Sequence, residues 1–415
     1  MMMQNYAQPA TKVGQTTVAH PCPNCGHHHL TIFYEVQQIP VHSCLMMNSQ
    51  AEALDFPCGD LSLGFCEKCG FITNTVFDSK WSAYAPNYED QQSFSPTFNN
   101  FAVKLANRLI DKYDLHSKNV VEIGCSKGDF LYLLCELGNN TGIGIDPSAI
   151  PGRVASQAAD RVTFIQDYYS EKYSEYVGDF VCCRHTLEHI HPTFDFLNTV
   201  RKSIGDRQTP IFFEIPDTVR VLKEAAFEDI YYEHCSYFTP GSLARLFRSC
   251  DFEVDDLYLD YGDQYLFIEA TPVQSLGRTL HPLEETVEQT AQYVEVFNRL
   301  IVQKLGWWKN QLEHWQKSGD KVVVWGSGSK CVAFLSTLNT IDKIDYVVDI
   351  NPHRHGKFIP GVGKEIKSPE FLSRYQPDRI VIMNGIYRPE IQKMLDDMGV
   401  KAELIALGDE LTRLG

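Results

Sequence analysis

No stretch of this 415-residue chain is apolar for the length that a membrane span needs, and residues 1–20 hold no apolar core of the kind a secretion signal carries. Positive charge is scarce: 37 Lys and Arg stand against 53 Asp and Glu, a formal net charge of -16. That balance predicts no nucleic-acid partner and no anionic membrane surface as a partner. Low-complexity tracts are absent, and so are internal repeats beyond two Rossmann-like halves. Cysteine is not scarce. Thirteen cysteines, an odd number in a chain without a signal, predict reduced thiols and metal ligation in the cytoplasm rather than disulfides. The length suffices for two or three domains with an ample core.

Residues 1–18 are polar and aperiodic, and read as a flexible tail. Cys22-Pro-Asn-Cys25-Gly26 follows, then, about forty residues on, Cys66-Glu-Lys-Cys69-Gly70. Each pair presents two thiolates from a tight knuckle, and the trailing glycine permits the turn. Together they predict a zinc-binding domain over 19–80 with Cys22, Cys25, Cys66 and Cys69 as ligands. Four thiolates leave no open coordination position, so the predicted zinc is structural. Cys44, Cys58 and the His27-His28-His29 run read as bystanders.

The stretch that organises the rest is Asn119 to Ser148. An apolar strand leads into Glu122-Ile123-Gly124-Cys125-Ser126-Lys127-Gly128. A helical run from Phe130 follows, and a second strand ends on Asp146. This is a nucleotide-binding βαβ half: glycines let the backbone approach a ligand, and the strand-end acid suits a ribose diol. Cys125 and Ser126 depart from G-x-G-x-x-G. The pattern E-x-G-C-x-x-G-x-F resembles motif I of class I S-adenosylmethionine-dependent methyltransferases.

Around it the chain reads as an α/β methyltransferase core over 81–275. Trp81 to Phe101 is aromatic and aperiodic, with Tyr88 and Gln91 as candidates to face a substrate. Val162 to Ile165 predicts a strand followed by Asp167. Gly178 to Cys183 predicts another, ending in Arg184-His185-Thr186-Leu187-Glu188-His189. Ligands of open parallel sheets lie at the carboxyl ends of strands, so His185 and His189 fall beside the expected donor. Asp229 to Phe238 concentrates aromatics, Glu233 and His234 in one loop. A histidine of near-neutral pKa suits proton abstraction, an adjacent glutamate can orient it, and tyrosine hydroxyls can donate to a developing oxyanion. Residues 276–317 read as a helical linker. Residues 318–415 open on Val-Val-Val-Trp-Gly326-Ser-Gly328-Ser-Lys330 and reach Asp349, which predicts a C-terminal Rossmann-like domain. An NAD site there is the reading of last resort, because Lys330-Cys331 replaces the third glycine.

With these pieces in order, residues from about 20 to 415 resemble the three-domain sugar C-methyltransferases, which act on nucleotide-linked keto-sugars. The paired knuckles, EIGCSKGDF, IYYEHCSYF, and Asp349-x-Asn351-Pro352 with Gly356, Pro360 and Gly361 carry the likeness. The fold implied is α/β, with a small zinc-binding domain, a class I methyltransferase core and a Rossmann-like C-terminal domain. The donor implied is S-adenosylmethionine, held by Glu122, Gly124, Cys125, Gly128, Phe130 and Asp146, with Asp167 and Arg184 at the next strand ends. His234 becomes the base that removes a proton beside a ketone, with Tyr231, Glu233, His189 and Tyr88 positioning the substrate or stabilising the enolate. One departure bears on the acceptor: Tyr261-Gly262-Asp263-Gln264-Tyr265-Leu266 stands where the family has H-G-G-S-x-R. The expected partner is a small-molecule acceptor, a nucleotide-sugar or related natural-product precursor, taken by a cytoplasmic monomer or homodimer. Two rival readings stay open: O- or N-methylation of another small molecule, and a non-catalytic zinc and Rossmann scaffold.

Overall fold

The computed structural model describes residues 11–81, 84–176, 178–273 and 280–414. Three sheets carry the architecture. The first begins with β1 (Thr11–Ala19), β2 (His29–Pro40), β3 (Cys58–Phe65) and β4 (Ile72–Asn74), antiparallel throughout, with a short helix α1 (Gln50–Leu54) before β3. Residues 11–18 of the segment read as a flexible tail belong to edge strand β1, paired to β2; residues 1–10 of it lie outside the described residues. Its polar character fits a strand exposed on both faces, which has no apolar alternation to betray it.

Helix α2 (Pro96–Tyr113) leads into the central unit, started by the Ser95 side chain accepting from Phe98 N with Pro96 at its first turn. Strand β5 (Asn119–Ile123), helix α3 (Asp129–Leu137), β6 (Thr141–Ile145), β7 (Val162–Ile165), β8 (Phe180–Arg184), helix α4 (Thr193–Ile204) and β9 (Ile211–Pro216) follow. Helix α5 (Thr218–Glu224) comes next, and then β10 (Ser236–Tyr237), which leaves this unit and pairs with β4 as the fifth strand of the first sheet. Helix α6 (Pro240–Ser249) returns the chain to β11 (Phe252–Asp260) and β12 (Tyr265–Pro272). The resulting order is β11-β12-β9-β8-β5-β6-β7, parallel except for β12, which runs antiparallel to both its neighbours. The order reverses at β5, and the crevice beyond its carboxyl end is where such sheets take ligands.

Helix α7 (Val287–Ser318) follows, with a Thr286/Gln289 capping box and Gly319 in the left-handed conformation at its end. The stretch read as a linker is no bridge across solvent. Phe297, Ile301 and Trp308 are fully buried, with Phe297 edge-on to Phe33 and Tyr34 of β2 and Trp308 edge-on to Phe334 of the next helix. The third sheet is parallel, order β15-β14-β13-β16-β17. Its strands are β13 (Val322–Trp325), β14 (Tyr346–Val348), β15 (Ile366–Lys367), β16 (Arg379–Ile382) and β17 (Glu403–Ala406), with α8 (Ser329–Leu338), α9 (Leu372–Tyr375) and α10 (Arg388–Asp397) between them. Its order reverses at β13. One hydrophobic core runs through the first sheet, α7 and the inner face of the third. No described helix is long and apolar enough to cross a membrane.

Candidate active site and metal centre

Both reversal points open on one cavity of about 820 Å³, lined by Gly124, Ser126 and Asp146 on one side and by Gly326, Ser329 and Asn351 on the other. At the β5 end, Gly124 adopts φ +72°, and a Cβ there would collide with the Thr186 side chain. Asp146 lines the cavity with its carboxylate fixed by the turn: Ser126 N donates to Oδ2 (2.8 Å), and Ser148 N and Oγ donate to Oδ1 (2.6 and 2.7 Å). Glu122 is buried, and burial pushes its pKa up to about 8 even though Arg184 opposes the shift. Arg184 is ion-paired to Glu214, with its guanidinium 4.0 Å from the centre of the Phe130 ring. Burial drives the Cys125 thiol well above its ordinary pKa, which makes it a packing residue rather than a nucleophile.

Two residues of the predicted donor set do not line the cavity. Gly128, at φ +86°, caps the start of α3 and lies against Phe164. Asp167 turns outward to Lys172 and Tyr173 (2.6 Å to the phenol), because a 3-10 turn at Glu171–Tyr173 brings both within reach; the Lys172 bond draws its pKa down to about 2.

At the other end lies a cluster of rings. The Tyr231 hydroxyl and His234 Nε2 share a hydrogen bond of 2.6 Å. His189 is edge-on to His234 with centroids 4.8 Å apart, and its Nδ1 lies 2.7 Å from the Tyr84 hydroxyl. Burial, with His189 beside it, lowers the His234 pKa well below its ordinary value, so the imidazole is neutral at physiological pH. Tyr88 lines the cavity, and its carbonyl accepts from the buried Lys127 (2.8 Å). Gln91 also lines the cavity and donates to Asp129 (3.0 Å). His185 directly follows β8 with φ +47°, a conformation few side chains adopt. Its ring lies 2.9 Å from Glu214 and 3.4 Å from Glu188.

Glu233 departs from the sequence reading. Its carboxylate faces away from the His234 ring and accepts from Ser43 N (2.6 Å) while pairing with His42 Nδ1 (3.1 Å). Although burial alone would raise its pKa, the His42 and Ser43 bonds hold it near 2, so it stays ionised. His42, Ser43, Tyr84 and Glu188 were not singled out in the sequence. His42 and Ser43 have no local pattern, since their partner lies 190 residues away. Tyr84 sits in the same aromatic stretch, four residues before Tyr88.

In the third sheet, Asp349 accepts from Ser327 N (2.8 Å) and Asn351 N (2.8 Å) and pairs with Arg354 (3.1 Å). Its pairing with the Arg354 cation leaves it poorly placed for the ribose diol that an NAD site requires. The departing segment forms a turn docked on this unit: Gln264 and Asn384 exchange two amide hydrogen bonds (3.1 and 2.9 Å), and the Tyr261 hydroxyl donates to that of Tyr387 (2.7 Å).

The knuckles bring four sulfurs together, all within 4.8 Å of one another, with Cys22–Cys69 and Cys25–Cys66 each 3.7 Å apart. A tetrahedral ion bound at about 2.3 Å sets sulfurs about 3.8 Å apart, so the thiol set fits zinc. Cys44 lines the large cavity and Cys58 begins β3, so neither joins the cluster. The knuckles dock on the central unit through Arg245 Nε donating to Cys69 O (2.9 Å) and Thr193 Oγ1 to Asn24 Oδ1 (3.1 Å).

The sheet order with its reversed strand, the glycine turn and the strand-end acid define a class I S-adenosylmethionine-dependent methyltransferase. Residues 89–257 match a methyltransferase-domain family, and residues 271–405 match the C-methyltransferase C-terminal domain family. The C-methyltransferase NovU of Streptomyces niveus is 26% identical over 308 residues, 69% of this chain and 71% of that protein. Together these support an S-adenosylmethionine-dependent C-methyltransferase, with a methyltransferase domain followed by a C-methyltransferase C-terminal domain. Among solved structures, the chain is similar to 1,6-didemethyltoxoflavin-N1-methyltransferase of Burkholderia thailandensis (16% identity, TM-score 0.31, 42% of this chain and 79% of that one). It is also similar to magnesium protoporphyrin IX methyltransferase (ChlM) of Synechocystis PCC 6803 (16% identity, TM-score 0.33, 43% and 84%).

Proposed function

We propose that this methyltransferase methylates carbon next to a carbonyl, with His234 as general base. The observation that supports this reading is that the Tyr231–His234–His189 cluster and the Asp146 turn face a single cavity. When bound, S-adenosylmethionine supplies an electrophilic methyl on its sulfonium. Asp146 would take the ribose hydroxyls, and the buried Glu122 would lie beside the donor's amino-acid end. Neutral His234 would take the α-proton of the acceptor, and the electron pair left on that carbon would form the new bond to the methyl as the methyl–sulfur bond breaks and S-adenosylhomocysteine leaves. Tyr231 and His189 hold the oxygen on which negative charge develops. Glu233, locked to His42, fixes the backbone that carries His234. The acceptor is a nucleotide-linked keto-sugar or a related natural-product precursor. Zinc would be held by Cys22, Cys25, Cys66 and Cys69 in a structural role.

Calorimetric titration of S-adenosylhomocysteine into wild-type chain and Asp146→Ala tests the donor site, with binding expected only in the wild type. Exchange of an acceptor's α-proton into deuterated water, lost in His234→Asn, tests the carbon chemistry. Methyl transfer without such exchange would point to oxygen or nitrogen as the methylated atom.

A further inference from the structure

Glu188, His189 and His234 each offer one ligand atom at the ring-lined end of the cavity, and the three atoms lie within 4.8 Å of one another. Two segments bring them together. Leu187–His189 is a 3-10 turn shortly after β8, His234 precedes β10, and Cys235 N donates to Glu188 O (3.0 Å) between them. Glu188 is 2% exposed, and neither of its carboxylate oxygens meets a hydrogen-bond donor among the described residues. The His185 ring comes within 3.4 Å of one oxygen, but the same ring also serves Glu214 at 2.9 Å. A buried carboxylate so weakly partnered is costly, and coordination of a metal is one way to satisfy it. The two imidazoles are held by phenols, His189 Nδ1 by Tyr84 (2.7 Å) and His234 Nε2 by Tyr231 (2.6 Å). Each phenol leaves the second ring nitrogen of its histidine, the arrangement in which metal-bound histidines are held.

We infer that Glu188, His189 and His234 form a second metal site, for a divalent first-row transition ion, whose occupation silences His234 as a base. Two imidazoles and one carboxylate suit zinc, cobalt, nickel or iron(II); magnesium and calcium favour all-oxygen sets. Three protein ligands leave a position open to water, which the four thiolates of the knuckles do not. Ligands held about 2.1 Å from one ion lie about 3–4 Å apart, so small side-chain rotations close the set. The silencing rests on the reading of His234 as general base; the metal site does not. The tautomer that gives His234 a free lone pair for a proton, with the other nitrogen donating to Tyr231, is also the one that binds an ion. One lone pair serves the acceptor or the metal, never both.

The test is titration of cobalt(II) chloride into full-length chain whose knuckles already hold one zinc, followed by calorimetry and visible absorption. A second equivalent should bind saturably, without the intense thiolate band that cobalt in the knuckles would show. No second equivalent would overturn the inference. Proton spectra of the loaded chain should show two strongly shifted, solvent-exchangeable imidazole N–H signals; their absence would equally overturn it, whether or not any variant folds. Glu188→Gln and His189→Asn should each weaken cobalt binding by about tenfold or more while keeping the zinc and S-adenosylhomocysteine binding. A folded variant with undiminished cobalt affinity would count against the site. With a uridine diphosphate-linked keto-sugar as acceptor probe, α-proton exchange should fall in step with cobalt occupancy and return on chelation. Exchange that continues at full occupancy would overturn the silencing. Chain that shows no exchange before cobalt is added would strike the choice of His234 as base, a failure the cobalt stoichiometry does not share.

Discussion

The Tyr231 hydroxyl lies 2.6 Å from Nε2 of His234, so the proposed base would act through the second nitrogen of that ring. His234→Asn is expected to lower kcat by about 10²–10⁴-fold, the usual contribution of a positioned general base. Tyr231→Phe keeps the ring and should cost less. Both should leave the S-adenosylhomocysteine Kd within about twofold, since neither residue touches the turn that holds Asp146. A loss of donor binding in step with kcat would show that the two ends of the cavity are not separate.

Asp146→Asn should weaken donor binding by about tenfold or more, the cost of losing a charged hydrogen-bond acceptor. The carboxylate also accepts from Ser126 and Ser148, so some thermal destabilisation should accompany it. Asp167→Asn is the control: its side chain faces Lys172 at the surface, and the same titration should be unchanged.

His185 gives the pH dependence. Burial alone would depress its pKa, but Glu214 and Glu188 overcome that and raise it from 6.5 to about 9. A pKa raised on folding stabilises the folded state fully below the unfolded value, and the contribution is lost as pH rises through the folded one. Tm should therefore decline between pH 7 and pH 10, and His185→Asn should flatten that slope. A wild-type Tm that stays level across this range would contradict the charged pair.

Chelation with unfolding, or Cys66→Ser, should release one zinc per chain, measured by elemental analysis. Structural zinc sites contribute about 10–16 kcal/mol of apparent binding energy. Removal should therefore loosen the docking of Cys69 on Arg245 and of Asn24 on Thr193, and lower Tm sharply. Full retention of Tm without metal would make the four sulfurs an ordinary buried group.

Phe297→Ala should cost about 3–5 kcal/mol. Because Phe297 contacts β2 while its helix also packs on the third sheet, unfolding should remain a single transition shifted to lower denaturant. Two separated transitions would mean the sheets are independent units after all.

What could be read beforehand were the local patterns. The Asn119–Ser148 unit, with its glycine turn and Asp146, is a short-range pattern in which each residue's neighbours decide its conformation. The paired knuckles are another, since thiol pairs at fixed spacing have few alternative uses. The partners of the flagged residues were not legible. Glu233 beside His234 invites a dyad, yet its carboxylate is drawn the other way by His42 and Ser43, from a segment with no periodic or motif signal. Asp167 follows a strand at the sheet edge, where a nearby lysine outcompetes the cavity. Strand β1 is polar on both faces, and without alternation it looks like a tail. The sequence shows Tyr261 and Leu266 where the family has a histidine and an arginine, but not that Gln264 beside them bonds Asn384, 120 residues further on.

Strand β10 begins two residues after His234 and completes a sheet whose neighbouring strand was made far earlier: Thr73 donates to Cys235 O across 162 residues of chain. Closing so long a loop is slow compared with forming local turns. During synthesis, the first sheet must wait with β4 unpaired on one edge until most of the central unit has emerged. The His234 loop then comes to rest as that edge is capped, so the Tyr231–His234 geometry is among the last parts of the molecule to form. Conditions that trap the chain before this step should yield a protein with a folded donor turn and an exposed, aggregation-prone strand edge.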